Sequence, residues 1–201
     1  MSAASTTAPD PAIQPEFYPY DAVAKALHWI IVGLLIVQYT IAFLMPHVGR
    51  DTKPEGLVGL HLSFGGVLIL LVLLRVAWRL LRGAPPPPVG LPAWQLVGSR
   101  YVHYLLYLLI IAIPILGWTN ASYRGWNISV FGIVPLPHLV PARNAAPAGS
   151  FSWGWTGDIH TYTSYVLLAI AGLHILAALY HRFVLRDRVL DRMLPQAMAG
   201  L

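Results

Sequence analysis

Histidines inside apolar segments are the residues of this sequence best suited to chemistry. The chain has eight histidines, and all but His47 and His138 lie within or at the ends of long apolar stretches. Polar groups inside hydrocarbon are costly and usually functional. An imidazole ring can bind a metal, relay a proton or hydrogen-bond to a neighbour. Several such rings in separate segments predict sites built between helices.

The segments that carry these rings are long enough to cross a bilayer. The chain of 201 residues is 57% hydrophobic and only 10% charged, whereas soluble domains carry about 25% charged residues. We predict an all-α membrane protein, a four-transmembrane-helix bundle with spans at about 24–45, 56–81, 100–121 and 158–183. This bundle would occupy residues 21–195, between a disordered tail at 1–20 and a C-terminal tail at 196–201. The Pro-rich stretch before the third span cannot be helical, and the loop at 122–157 is expected to form a partly structured cap.

The basic residues predict the orientation of the bundle. Of the 13 Lys and Arg residues, nine flank the side that carries both termini, which the positive-inside rule assigns to the cytoplasm. The loop between the third and fourth spans would then be periplasmic, and the chain would cross the membrane four times. The net charge of +5 is explained by these topology signals and anionic lipid, so no nucleic-acid partner is expected. The oligomeric state is left open.

Spacing within the last span predicts two sites at different depths. His160 and His174 are separated by fourteen residues, which places them about 40° apart around the helix and about 21 Å apart along it. With the predicted topology, His61 lies at the depth of His160, on the periplasmic side. On the cytoplasmic side, both His28 and His103 lie at the depth of His174.

Two imidazoles from different helices at one depth suit an ion whose other positions are already filled. Haem iron takes axial histidines in this way, whereas a structural zinc site normally needs four protein ligands. The sequence lacks cysteine, so the C-x-x-C-H attachment motif is absent and two haem b groups would be held non-covalently. Gly33, Gly65, Gly66 and Gly172 could let a planar macrocycle approach the backbone. Proton relay, metal transport or simple packing are the alternatives, but no carboxylate lies deep in a span.

Six segments of the chain form a recognisable set: K-A-L-H-W at 25–29, G-L-H-L-S-F-G at 59–65, L-L-R-V-A-W-R at 73–79, R-Y-V-H-Y-L-L-Y at 100–107, I-P-I-L-G-W at 113–118 and G-L-H-I-L-A-A-L-Y-H at 172–181. Together they resemble the bacterial cytochrome b561 family. The resemblance implies a four-helix di-haem b cytochrome of the inner membrane. It also implies axial ligation by His28 and His174 at the cytoplasmic haem and by His61 and His160 at the periplasmic one.

The resemblance also suggests substrates and partners. One member type oxidises superoxide at the periplasmic side and reduces ubiquinone, so we expect transmembrane electron transfer and an oxidoreductase of this type. Arg50, Lys53 and Arg124 are candidates for steering an anionic donor, unless they only bind lipid headgroups or haem propionates. Candidate propionate or quinone contacts are Arg75, Arg79, Arg100, His103 and His181. Alternatively, the protein is a haem-b relay subunit that docks to a partner dehydrogenase or hydrogenase, or receives electrons from a periplasmic redox protein.

Overall fold

Four long helices dominate the fold. A computed structural model describes residues 17–88 and 90–195, in which the helices are α1 (Ala22–Leu44), α2 (Gly56–Arg82), α3 (Ala93–Tyr123) and α4 (Thr156–Tyr180). All four are long and apolar enough to cross a membrane, which confirms the predicted set of spans. The predicted tails at 1–20 and 196–201 fall largely outside the described residues.

The start of α3 differs from the predicted start of the third span. The helix begins at Ala93, seven residues before the predicted Arg100, directly after Pro92. Pro92 has φ −57°, a value that proline fixes and that suits helix initiation. The amides of Gln95 and Leu96 both donate to the Pro92 carbonyl. The first turn of α3 therefore forms directly after Pro92, the last proline of the connector.

Two helix pairs share one small core. α1 packs against α2, and α3 packs against α4. Buried residues from all four helices meet in one cluster, comprising Ile31, Leu68, Val72, Leu109, Ile110, Ile113 and Leu167. Many other large apolar side chains face outward, such as Leu80, which is 80% exposed. Outward-facing leucines suit a bundle surrounded by lipid, because lipid tails are as apolar as leucine.

A β-hairpin covers one end of the bundle, where α1 joins α2 and α3 joins α4. Strands β1 (Ser129–Val130) and β2 (Val134–Pro135) pair antiparallel. Phe131 and Gly132 between them have φ of 51° and 72°, and a type I′ turn requires positive φ at both central residues. We call this region, residues 45–55 and 124–155, the hairpin end. The cap predicted for the loop thus contains strand structure, which the short F-G turn makes possible.

The two described ends of the chain lie together at the other end of the bundle, and we call it the termini end (residues 17–21, 83–88, 90–92 and 181–195). The Tyr20 amide donates to the Arg192 carbonyl at 3.0 Å, and the Trp29 indole donates to the Met193 carbonyl at 2.9 Å. After α4, a π-helical turn (His181–Leu185) leads into a 3-10 turn (Leu190–Arg192). Buried Asp191 pairs with Arg182 at 3.0 Å. These contacts hold the two described ends of the chain against each other and against α1 at this end of the bundle.

Candidate functional site

His61 of α2 and His160 of α4 face each other at the hairpin end. Their ring centroids are 6.0 Å apart and the rings are nearly perpendicular, at 89°. Metal–nitrogen bonds to histidine are about 2 Å long, so two imidazoles on opposite sides of one ion have centroids about 6 Å apart. The spacing therefore suits axial ligation of a single ion by both rings.

The orientation of His160 is set by α3. Its Nδ1 atom lies 2.8 Å from the carbonyl oxygen of Ile113. A carbonyl oxygen only accepts, so Nδ1 carries the proton and donates it. The lone pair on Nε2 is then free, which is the arrangement found when histidine binds a metal and hydrogen-bonds through its other nitrogen.

His61 has a different environment, at the contact between α2 and the Gln38 side chain of α1. The Gln38 side chain donates through Nε2 to the His61 carbonyl at 3.1 Å. However, the Nδ1 atom of His61 and the Oε1 atom of Gln38 are both buried without a hydrogen-bond partner among the described residues. Orphaned buried polar atoms are uncommon, and each calls for an explanation such as an additional bound group.

An apolar cleft surrounds these two imidazoles. It contains about 1150 Å³ of space between atoms, part of it open to the surroundings. All four helices contribute to the lining, along with Ile128 and Leu136 from the hairpin end. An apolar cleft with two convergent imidazoles fits a large, flat, mostly apolar group that carries its own metal ion. The described residues contain no group of three or more metal-binding side chains, so an ion here would need other ligands.

A second set of histidines lies toward the termini end. His103 and His174 have ring centroids 5.1 Å apart at 81°, and the Nδ1 atom of His103 donates to the Ser99 carbonyl. His28 lies within electrostatic range of His174, His103 and Arg75. The structure thus brings together all three rings predicted for this depth. The separation of His103 and His174 indicates direct edge-to-face contact, about 1 Å closer than two ligands of one ion would be.

The glycines singled out in the sequence do different things. Gly65 and Gly66 line the cleft, but a Cβ on Gly66 would lie 2.9 Å from Cγ2 of Val130. Gly66 therefore makes room for the hairpin rather than for a macrocycle. A Cβ on Gly33 or Gly172 would meet no atom within 4 Å, so both positions have open space beside them.

The three cations predicted to steer a donor differ in their surroundings. Arg50 and Lys53 are exposed in the loop after α1. Arg124, in contrast, donates to the Gly49 carbonyl at 2.8 Å and to the Asn120 side chain at 2.9 Å. Burial, and then the charge of Arg143, lowers the pKa of the Arg124 guanidinium. Arg124 connects the two loops of the hairpin end, a structural role that its position in the sequence does not reveal.

The candidate propionate or quinone contacts are partly engaged within the protein. Arg75 donates to the Ala24 carbonyl at 2.9 Å, and Arg79 donates to the Gly83 carbonyl at 3.2 Å. His181 pairs with Asp187 through Nδ1, a contact that needs the turn after α4 and was not predicted. Arg100 and His103 are exposed. These five side chains all lie toward the termini end, and two of them, Arg75 and His103, lie within electrostatic range of His28 and His174.

Comparisons with known proteins agree with this architecture. The family described as prokaryotic cytochrome b561 matches residues 19–196. The chain is 32% identical over 178 residues to the probable superoxide oxidase CybB of Yersinia pestis, covering 88% of this chain and 96% of that protein. It is 31% identical over 186 residues to cytochrome b561 homolog 2 of Escherichia coli (strain K12), covering 89% and 92%. Cytochrome b562 of Cereibacter sphaeroides is 28% identical over 185 residues, covering 87% and 94%. The chain belongs to the prokaryotic cytochrome b561 family.

Proposed function

We propose that this protein transfers electrons across a bacterial inner membrane through two haem b groups, each held between two histidines. Membership of the family implies b-type haem and is consistent with transmembrane electron transfer. The main observation in support of the proposal is the 6.0 Å separation of the His61 and His160 ring centroids. A haem bound there would supply one-electron oxidation and reduction, while the protein holds the ligands and excludes water.

The residues at each depth would have distinct tasks. His61 and His160 would ligate the periplasmic haem through nitrogens that face the apolar cleft. His28 and His174 would ligate the cytoplasmic haem, with His103 beside them as a neighbour of His174. Arg75 lies close to His28 and His174, and its positive charge there would attract a haem propionate. His160 and His174 both belong to α4, so this helix would connect the two haem sites.

The proposed reaction takes electrons from a periplasmic donor to membrane ubiquinone. One relative is named a probable superoxide oxidase, and superoxide is our first candidate donor. Two superoxide anions would lose one electron each and leave as O₂, while one ubiquinone would take up both electrons and two protons to form ubiquinol. Exposed Arg50 and Lys53 would raise the local concentration of the anion by electrostatic steering. Arg79, Arg100, His103 and His181 remain candidates for contacting the quinone.

A relay subunit is the second candidate function. Several apolar side chains are exposed at the hairpin end, among them Phe131 (47%), Ile133 (81%) and Phe151 (64%). Exposed apolar groups of this kind can mark a surface for a partner protein or for the membrane interface. A partner dehydrogenase or hydrogenase docked there would supply electrons directly, and the protein would then have no substrate of its own.

A reduced-minus-oxidised spectrum of the purified protein tests for the haems. We expect the α band of low-spin b haem, and we expect the double variant His160→Ala, His174→Ala to lose it, because each level would lose one axial ligand. The matched control is the double variant His47→Ala, His138→Ala, which removes two exposed loop histidines and should keep the full spectrum. A missing band in the unaltered protein, or an undiminished band in the first double variant, would exclude the bis-histidine proposal.

A turnover assay separates the two candidate functions. Purified protein is mixed with a superoxide source and a short-chain ubiquinone, and ubiquinol formation and haem reduction are followed together. The stand-alone enzyme should reduce quinone in a superoxide-dependent manner, at a rate that falls as ionic strength rises, because salt screens the steering charges. A protein that holds haem but shows no superoxide-dependent quinone reduction would instead favour the relay subunit.

A further inference from the structure

His160 lies against α3 at a point where the helix has no side chain. A Cβ atom built on Gly117 would lie 2.9 Å from Cε1 and 3.0 Å from Nδ1 of His160. Contacts this short essentially never occur for a real Cβ. The imidazole therefore occupies the space that any other residue at position 117 would fill.

The same close approach makes the hydrogen bond of His160 possible. Ile113 lies one turn before Gly117, and its carbonyl accepts the Nδ1 proton of His160 at 2.8 Å. A side chain at position 117 would push the ring away from α3 and lengthen or break this bond. Gly117 and the Ile113 carbonyl, which lie one turn apart on α3, thus both determine the position of the His160 ring.

We propose that Gly117 is a positioning residue that sets the orientation and basicity of the His160 imidazole, and through it the potential of the periplasmic haem. The inference rests on the proposed function, because it takes His160 as an axial ligand. A hydrogen bond from Nδ1 to a carbonyl raises the basicity of a ligating imidazole. A more basic ligand stabilises ferric iron and lowers the midpoint potential. Of the two rings that face each other at the hairpin end, His160 is the one whose Nδ1 hydrogen bond to a carbonyl of another helix the structure shows.

The variant Gly117→Ala tests this role, with Gly98→Ala on the same helix as the matched control. A Cβ on Gly98 would meet no atom within 4 Å. We expect Gly117→Ala to raise the midpoint potential of one haem and alter its electron paramagnetic resonance signal, or to lose that haem alone, while the second haem stays unchanged. Gly98→Ala should leave both haems as they are. Two unchanged haems in Gly117→Ala would overturn the proposal.

A second background distinguishes contact with the ring from general damage to the fold. In the His160→Ala protein, the methyl group at position 117 meets no imidazole. Gly117→Ala should therefore lower the Tm when His160 is present, whereas adding it to His160→Ala should cause no further fall in Tm and no change in the remaining haem. An equal fall in Tm in both backgrounds would show that the methyl group acts elsewhere and would overturn the proposal. The Tm comparison needs no bound haem, so it decides the Gly117–His160 contact even if the purified protein contains none and the proposed function fails.

Discussion

Replacing either His61 or His160 by alanine is expected to remove one of two haems and to leave the other in place. The two rings are 6.0 Å apart and line one apolar cleft, so neither could hold the iron of a bis-histidine site alone. Haem content per protein should fall by half, and one of the two midpoint potentials should vanish from a redox titration. Superoxide-dependent quinone reduction should be lost, because electrons would have no entry at the periplasmic side.

The control for this pair is His47→Ala, which alters an exposed loop histidine at the hairpin end. It should keep both haems and both potentials. If His61→Ala and His160→Ala each lost a different haem, the two rings would belong to separate sites. Full haem content in either variant would likewise contradict the assignment.

The three rings at the other depth are expected to respond unequally to replacement. His28→Ala and His174→Ala should each lose the cytoplasmic haem, whereas His103→Ala should keep it. The reason is geometric: the centroids of the His103 and His174 rings are 5.1 Å apart in an edge-to-face arrangement, and His103 is exposed. An exposed ring that already contacts the ligand histidine is better placed to border the haem than to bind its iron.

Haem content and redox titration of the three single variants decide between His28 and His103. Retention of both haems in His28→Ala, together with loss of one in His103→Ala, would transfer the ligand role to His103. Quinone reduction offers a second readout, because a residue that only borders the site should change the KM for quinone more than the haem content. His138→Ala is the matched control, since this exposed histidine lies in the loop of the hairpin end.

These variants also test the part of α4 in the proposed mechanism. Loss of one haem should leave the remaining haem reducible by a chemical reductant but disconnected from one side of the membrane. His160→Ala should block entry of electrons from superoxide, whereas His174→Ala should allow the periplasmic haem to be reduced but not reoxidised by quinone. In the proposed mechanism, α4 would carry both ligands on nearly one face, so that a single rigid element would fix the relative position of the two sites.

The sequence by itself determined the four-helix bundle and which histidines lie at the same depth in it. Apolar runs of bilayer length define four spans, because backbone groups in lipid must be satisfied within each helix. The fourteen-residue spacing of His160 and His174 follows from helix periodicity alone. Depth along the helices then grouped His61 with His160, and His28 and His103 with His174. The structure brings the same histidines together. Depth along a helix follows from position in the sequence, so it can be predicted without knowing how the helices pack.

Tertiary structure decided what lies beside each ring. Gly117 stands 43 residues before His160 in the sequence, and only the packing of α4 on α3 places one against the other. The same holds for Gln38 beside the His61 carbonyl, for Arg124 on the Gly49 carbonyl, and for Asp187 on His181. Contacts between helices depend on their rotation and on the path of the loops, which periodicity does not encode. The sequence thus specifies which rings share a depth, while helix packing specifies their orientation and the hydrogen bonds that tune them.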